Sequence, residues 1–321
     1  MNLETIQITV DFKIINSHAE LIAVLSPAFI AQSGDIVDFE IDLNSYSLIY
    51  SDHLLLIVSV IDYLRAKSIC VEGIISGLGV NPDRTNYASR VDFFKHLGAP
   101  FVENFERHEA SGKFTEIRRF DNETSYNLFN EIMRILIAND IDMNVLATLH
   151  YCLWEVIDNT LNHSSGNFIY GEGHGFACAQ YFPVRQEIRI LIADNGVGVH
   201  HALSKHPNSE YKNVTEEEAV WICVDKNVTN SAGMGFGLWA TAEMIKENAG
   251  ELIVYSGNYQ LNCQGEKQIE KKSFWQGTFT FLRINTNIPV DPNLIFAGSK
   301  DQFADYQEYK ENLFGDISEL W

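Results

Sequence analysis

Residues Val37 to Leu43 alternate apolar and polar at every second position, the period of a strand with one buried face. His53 to Lys67 then carries the length and apolar stripe of a helix, and Ser68 to Ile75 suits a second strand. Strand, helix and strand in close succession predict a parallel crossover unit, so the first third reads as α/β. A helix over Asn86 to Leu97 is expected to stop at Gly98-Ala99-Pro100. Phe101 to Phe120 is mixed and charged, and a domain junction is expected within it. Helical spacing returns over Glu123 to Ala138 and Met143 to His163, the latter capped near Asp142 and closed by Ser164-Ser165-Gly166. Strands are predicted at Phe168 to Cys178, Glu187 to Ala193, Glu251 to Ser256 and Gly277 to Ile284, with a helix over Gly237 to Asn248.

Composition narrows the function classes. Lys and Arg number 23 against 43 Asp and Glu, a net charge of −20 that repels phosphate backbones and anionic lipid. No nucleic-acid or membrane surface is expected. The start has no basic stretch before an apolar run, and the run Leu54 to Val60 is too short to span a bilayer. Five scattered cysteines without C-x-x-C spacing read as buried or reduced thiols of a cytoplasmic protein.

Four segments carry candidate chemistry. On the helix Met143 to His163, Glu155, Asn159, Asn162 and His163 lie at three- and four-residue steps beside the apolar stripe. A carboxylate and an amide one turn apart can hold a water and a divalent, oxygen-liganded ion. The strand Ile188 to Ala193 ends in Asp194-Asn195-Gly196-Val197-Gly198, where a carboxylate and close-approaching backbone suit an exocyclic amine. Gly233, Gly235 and Gly237 precede a helix, exposing amides and the positive end of its dipole to an anion. Thr278 follows Gly277 on a late strand, where its hydroxyl is positioned to support Asp194 through a water. Each signal has an ordinary structural explanation when taken alone.

Together and in this order they resemble the gyrase/Hsp90/histidine-kinase/MutL (GHKL) ATPase superfamily: an N box, two glycine boxes and a Gly-Thr strand, between Asn122 and Ile284. The resemblance implies a mixed sheet with helices on one face, a Bergerat two-layer α/β sandwich, and ATP with Mg²⁺ as cofactors. It implies magnesium at Asn159 and a general base at Glu155. Asp194 would accept from the adenine amine with Thr278 behind it, and Gly196 and Gly198 would shape the base pocket. Gly233, Gly235 and Gly237 would cradle phosphate, with Asn162 and His163 beside them and Val199 to Ala232 as a mobile lid. Glu155 stands where sensor histidine kinases carry Asn, which is similar to ATPases and anti-sigma-factor serine kinases. His150 and His163 are poor phosphoacceptors at these positions, and His200, His201 and His206 in the lid lack the spacing of a metal site.

The stretch from Asp42 to Ile74 resembles the heart of a STAS domain, with Asp52 where a phosphorylatable serine often sits. The expected organisation is α/β (α+β): a STAS-like module over 1–110, a GHKL ATP-binding domain over 111–286 and an acidic tail over 287–321. The expected function is a Mg-ATP-binding regulator acting as a slow ATPase or protein kinase on a regulatory protein partner. Alternatives are a non-catalytic nucleotide sensor and an ATP-gated dimeric clamp; a homodimer fits the latter.

Overall fold

The computed structural model describes residues 4–44, 49–110, 112–139, 143–164, 173–206, 209–229, 237–291 and 295. The first region is a βαβαβ unit. Strands β1 (Thr5–Asp11), β2 (Ile36–Asp42) and β3 (Cys70–Ser76) pair in parallel in that order. Helices α1 (His18–Leu25) and α2 (Ser51–Ala66) make the crossovers. A reciprocal Ser17–Glu20 capping box starts α1. The predicted strands at 37–43 and 68–75 fall on β2 and β3, whereas β1 and α1 have no counterpart in the sequence reading. Val37, Phe39 and Ile41 of β2 are buried with Ile8 and Val10 of β1, and the alternate positions face outward.

The predicted helix over 86–97 is two helices, α3 (Pro82–Arg90) and α4 (Phe93–Leu97). They break at Asp92, whose backbone is left-handed (φ 62°) and whose carboxylate pairs with Lys95 and Arg107. The stop at Gly98 is as expected, in the left-handed conformation glycine favours (φ 70°).

The second region follows with β4 (Arg118–Asp121), α5 (Ser125–Ile137), α6 (Met143–Ser164), β5 (His174–Phe182) and β6 (Glu187–Ala193). After these come α7 (Gly198–Ser204), α8 (Glu216–Ile222), α9 (Gly237–Glu247), β7 (Glu251–Gln264) and β8 (Glu266–Asn285). Its sheet, in order β4-β5-β6-β8-β7, is antiparallel at every pairing, which corrects the expected mixed sheet. β7 and β8 run well past their predicted ends as one hairpin turning at Gly265 (φ 77°). The expected cap at Asp142, the turn at Ser165-Gly166 and most of 287–321 lie outside the described residues.

Alternation along β6 sorts the two faces. Ile188, Ile190 and Ile192 pack with α5, α6 and α9, while Leu191 and Ala193 pack with α1 and α2. On the same second face, Phe279 and Phe281 of β8 and Ile253 and Tyr255 of β7 join the core of the first region. The sheet is therefore covered on both faces, by its own region's α5, α6 and α9 on one and by α1 and α2 of the first region on the other. The layers run parallel sheet, α1–α2, antiparallel sheet, α5–α6–α9. At the centre, α2 buries thirteen of its sixteen residues, far more than a one-sided amphipathic helix would. Among the described residues, no helix is long and apolar enough to cross a membrane.

Candidate functional site

The site begins where β6 ends. Asp194 continues the strand's alternation onto the α6 face, and its amide donates to the Thr278 carbonyl at 2.8 Å. The carboxylate is buried and accepts from the Gly196 amide at 2.7 Å. No ion pair neutralises it among the described residues. Burial pushes its pKa from 3.8 up to about 7, against the pull of the Gly196 and Thr278 amides.

The turn after Asp194 is gripped from two sides. The Val197 amide donates to the carbonyl of His163 at the end of α6, 3.3 Å away. A Cβ at Gly196 would lie 2.4 Å from that carbonyl, so only glycine permits this contact. On the other side Gly277 has φ 90°, and a Cβ there would meet the Asp194 carbonyl at 2.4 Å. Gly198 opens α7 at φ 77°, and the following Val199 amide donates to Ser256 Oγ at 2.9 Å. Thr278 sits opposite Asp194 on the same sheet face. Its hydroxyl bonds to Ser256 Oγ at 3.3 Å.

The α6 residues come to the same edge. Glu155, Asn159 and His163 are half-buried, and from Glu155 to His163 the helix rises roughly 12 Å. Burial, reinforced by the neighbouring Asp158, raises the Glu155 carboxyl pKa. Burial lowers the His163 pKa, with Asp158 opposing. Asn162 is exposed and donates to Asp158 at 2.8 Å, on the outer margin of this face. Gly237 begins α9 directly against Glu155: a Cβ there would lie 2.5 Å from Glu155 Cβ and 2.6 Å from Oε2. Its glycine is needed for that approach, a reason the sequence did not supply. Gly233 and Gly235 lie outside the described residues. His150 packs its ring edge-on to Phe129 at 4.3 Å, and burial lowers its pKa to about 4.

Two expectations change. The lid segment carries α7 and α8, and Val220, Cys223 and Val224 enter the main core, so its described part is packed and not a solvated loop. Glu216 of α8 accepts from Asn258 of β7 through backbone and side chain, at 3.0 and 3.1 Å. Asp52 is buried under the sheet, where Arg189 of β6 bonds its Oδ2 at 2.6 and 2.9 Å. Burial alone would raise the Asp52 carboxyl; the charges of Arg189 and His53 overcome this and hold it well below the usual range. Its position is that of a structural ion pair.

His18, Asp52 and His53 bring potential metal-ligand atoms within 4.8 Å of one another, the one such group among the described residues. The Arg189 guanidinium already supplies the positive charge that Asp52 requires, and the lid histidines form no such group. Sequence reading missed Arg189 and also Ser59, whose hydroxyl donates to Asn195 Oδ1 at 2.7 Å. The available signal was polarity inside the apolar run of α2.

Comparison with protein-family models finds no match, and comparison with curated proteins finds none at the similarity required.

Proposed function

We propose that this chain binds Mg-ATP at the edge formed by α6, the Asp194 turn, the start of α9 and the Gly277-Thr278 strand, and acts as a nucleotide-dependent regulator. The observation that carries this reading is Asp194. A buried carboxylate satisfied, among the described residues, only by backbone amides, and held near pH 7 in its titration, calls for a donor from a ligand. An exocyclic adenine amine supplies one. The glycines around it bring backbone close enough to enclose a flat base, and the motif order gives the family resemblance its support.

Glu155 is the candidate general base. A raised carboxyl pKa suits proton acceptance from water or from a partner's serine hydroxyl near neutral pH. Asn159, one turn on, offers the amide oxygen that magnesium accepts readily. When bound, magnesium would draw charge from the phosphate oxygens. Gly237 and the α9 start present the positive end of a helix dipole to the same edge. The chain's residues thus divide the work: Asp194 for the base, Asn159 for the ion, Glu155 for the proton.

Titration calorimetry with Mg-ADP tests this reading. Asp194→Asn is expected to weaken binding roughly 5- to 150-fold, since the amide presents a donor to a donor and leaves buried polar groups unmatched. Unchanged affinity would remove Asp194 from the site.

A further inference from the structure

The two residues at the head of the turn point in opposite directions. Asp194 faces α6, and Asn195 faces α2, 136 residues earlier in the chain. Ser59 is fully buried and its hydroxyl donates to Asn195 Oδ1 at 2.7 Å. Asn195 in turn donates to the Gln276 carbonyl at 3.3 Å, and Gln276 Nε2 returns a bond to the Gly196 carbonyl at 2.5 Å. Trp275, fully buried, donates its indole N–H to the Asp194 carbonyl at 3.3 Å and packs edge-on to Phe29 in the turn after α1. Three of the four residues from Asp194 to Val197 are thus held through carbonyls or side chains by groups outside their own strand.

We propose that Ser59 and Asn195 are positioning residues through which α2 sets the base-recognising turn, making the N-terminal region a determinant of nucleotide affinity and of base selectivity. This rests on the reading of Asp194 as the base acceptor. Deleting the Ser59 hydroxyl removes the donor that α2 supplies to Asn195 Oδ1. The turn then loses its anchor on one side while Gly196 and Gly277 still permit it to shift. A shift there displaces the Asp194 carboxylate, whose alignment with an amine depends on tenths of an ångström.

The experiment uses the full chain and four proteins: wild type, Ser59→Ala, Asn195→Ala and the double variant. Mg-ADP and Mg-GDP affinities are measured by calorimetry on the folded protein, and Asp194 is titrated by carboxyl NMR without nucleotide. Ser59→Ala is expected to lower ADP affinity about 3- to 10-fold, a neutral hydrogen bond's contribution. GDP affinity should change less, narrowing the preference between bases. The double variant should bind ADP no worse than Asn195→Ala alone, since both remove one contact. The Asp194 midpoint should fall in Ser59→Ala as water reaches the loosened turn. A variant with lower thermal stability but unchanged ADP affinity, base preference and Asp194 midpoint would show Ser59 to be packing only and overturn the proposal. Wild type that binds no nucleotide would instead overturn the ATP reading itself, and this proposal with it.

Discussion

The two faces of the antiparallel sheet bury polar groups in contrasting ways. Toward α2, buried polar side chains meet protein partners across the layer: Arg189 with Asp52, Asn195 with Ser59, His174 with Asp62 at 3.3 Å, and Gln180 with Tyr87 at 2.5 Å. Toward α6, the Asp194 carboxylate is buried with no cation beside it among the described residues. On the first face these four side chains have their partners within the protein. The second keeps a carboxylate that meets no counter-charge among the described residues, and the proposed nucleotide site rests on that difference. The parallel sheet of the first region adds a third case, since Gln7, Thr9, Glu40 and Glu72 face outward and are exposed.

Breaking a pair on the first face should have the largest effect. Arg189→Leu leaves Asp52 buried without its main counter-charge, a change of about 3–5 kcal/mol in unfolding free energy. Urea unfolding of the two proteins measures it; a loss below about 1 kcal/mol would mean that the pair is not closed as described.

Removing the unneutralised charge should act in the opposite direction. In the folded protein Asp194 holds its proton up to about pH 7, while the unfolded chain releases it near 3.8. The unfolded state therefore binds fewer protons across that window, and stability from this group falls as pH rises from about 4 to 7. Without nucleotide, Asp194→Asn should be more stable than wild type above pH 7 by roughly 2–4 kcal/mol, with the gap shrinking toward pH 4. Melting curves at pH 4.5 and pH 8 check the sign. The same ionisation predicts that ADP affinity rises with pH through 7 and that binding near pH 7 releases a proton. Calorimetry in two buffers of different ionisation enthalpy would detect that release.

Glu155→Ala separates the chemistry from the fold. Nucleotide binding should remain and turnover with the true partner should fall about 10²- to 10⁴-fold. Normal turnover of labelled ATP in that variant would dismiss Glu155 as the base. The smallest effect is expected on the open sheet face, where Glu40→Gln should move stability within about 0.5 kcal/mol. A larger change would mean that this face is covered in solution.

The elements easiest to read were those with one clear period or a wholly apolar run. Strand β6 matches the predicted 187–193, and α6 and α9 match within a residue or so. The outer half of the β7–β8 hairpin escaped because Tyr259 to Lys272 intersperses Gln, Glu and Lys, and its one buried side packs on α8 rather than on a layer visible in the sequence. Asp194, Gly196 and Gly198 were legible because motif order singles them out. Ser59, Asn195 and Arg189 were not, since polarity inside an apolar run can flag a residue but does not name a partner more than a hundred positions away. For the same reason Gly237 was assigned to phosphate alone, although its contact with Glu155 explains the missing side chain.

The depth of α2 bears on how the chain is made. This helix is complete at Ala66, yet β5, which supplies Phe176 and Cys178 to its cover, begins only at His174. At ordinary synthesis speeds of about 5–20 residues per second, roughly 5–20 s separate the two on the ribosome. During that interval a nearly all-round apolar helix waits without its far layer, a target for chaperones. A nascent chain stalled after Ser164 should accordingly bind a hydrophobic dye or a holdase that the finished protein ignores; a stalled chain that binds neither would mean that the parallel unit hides α2 by itself.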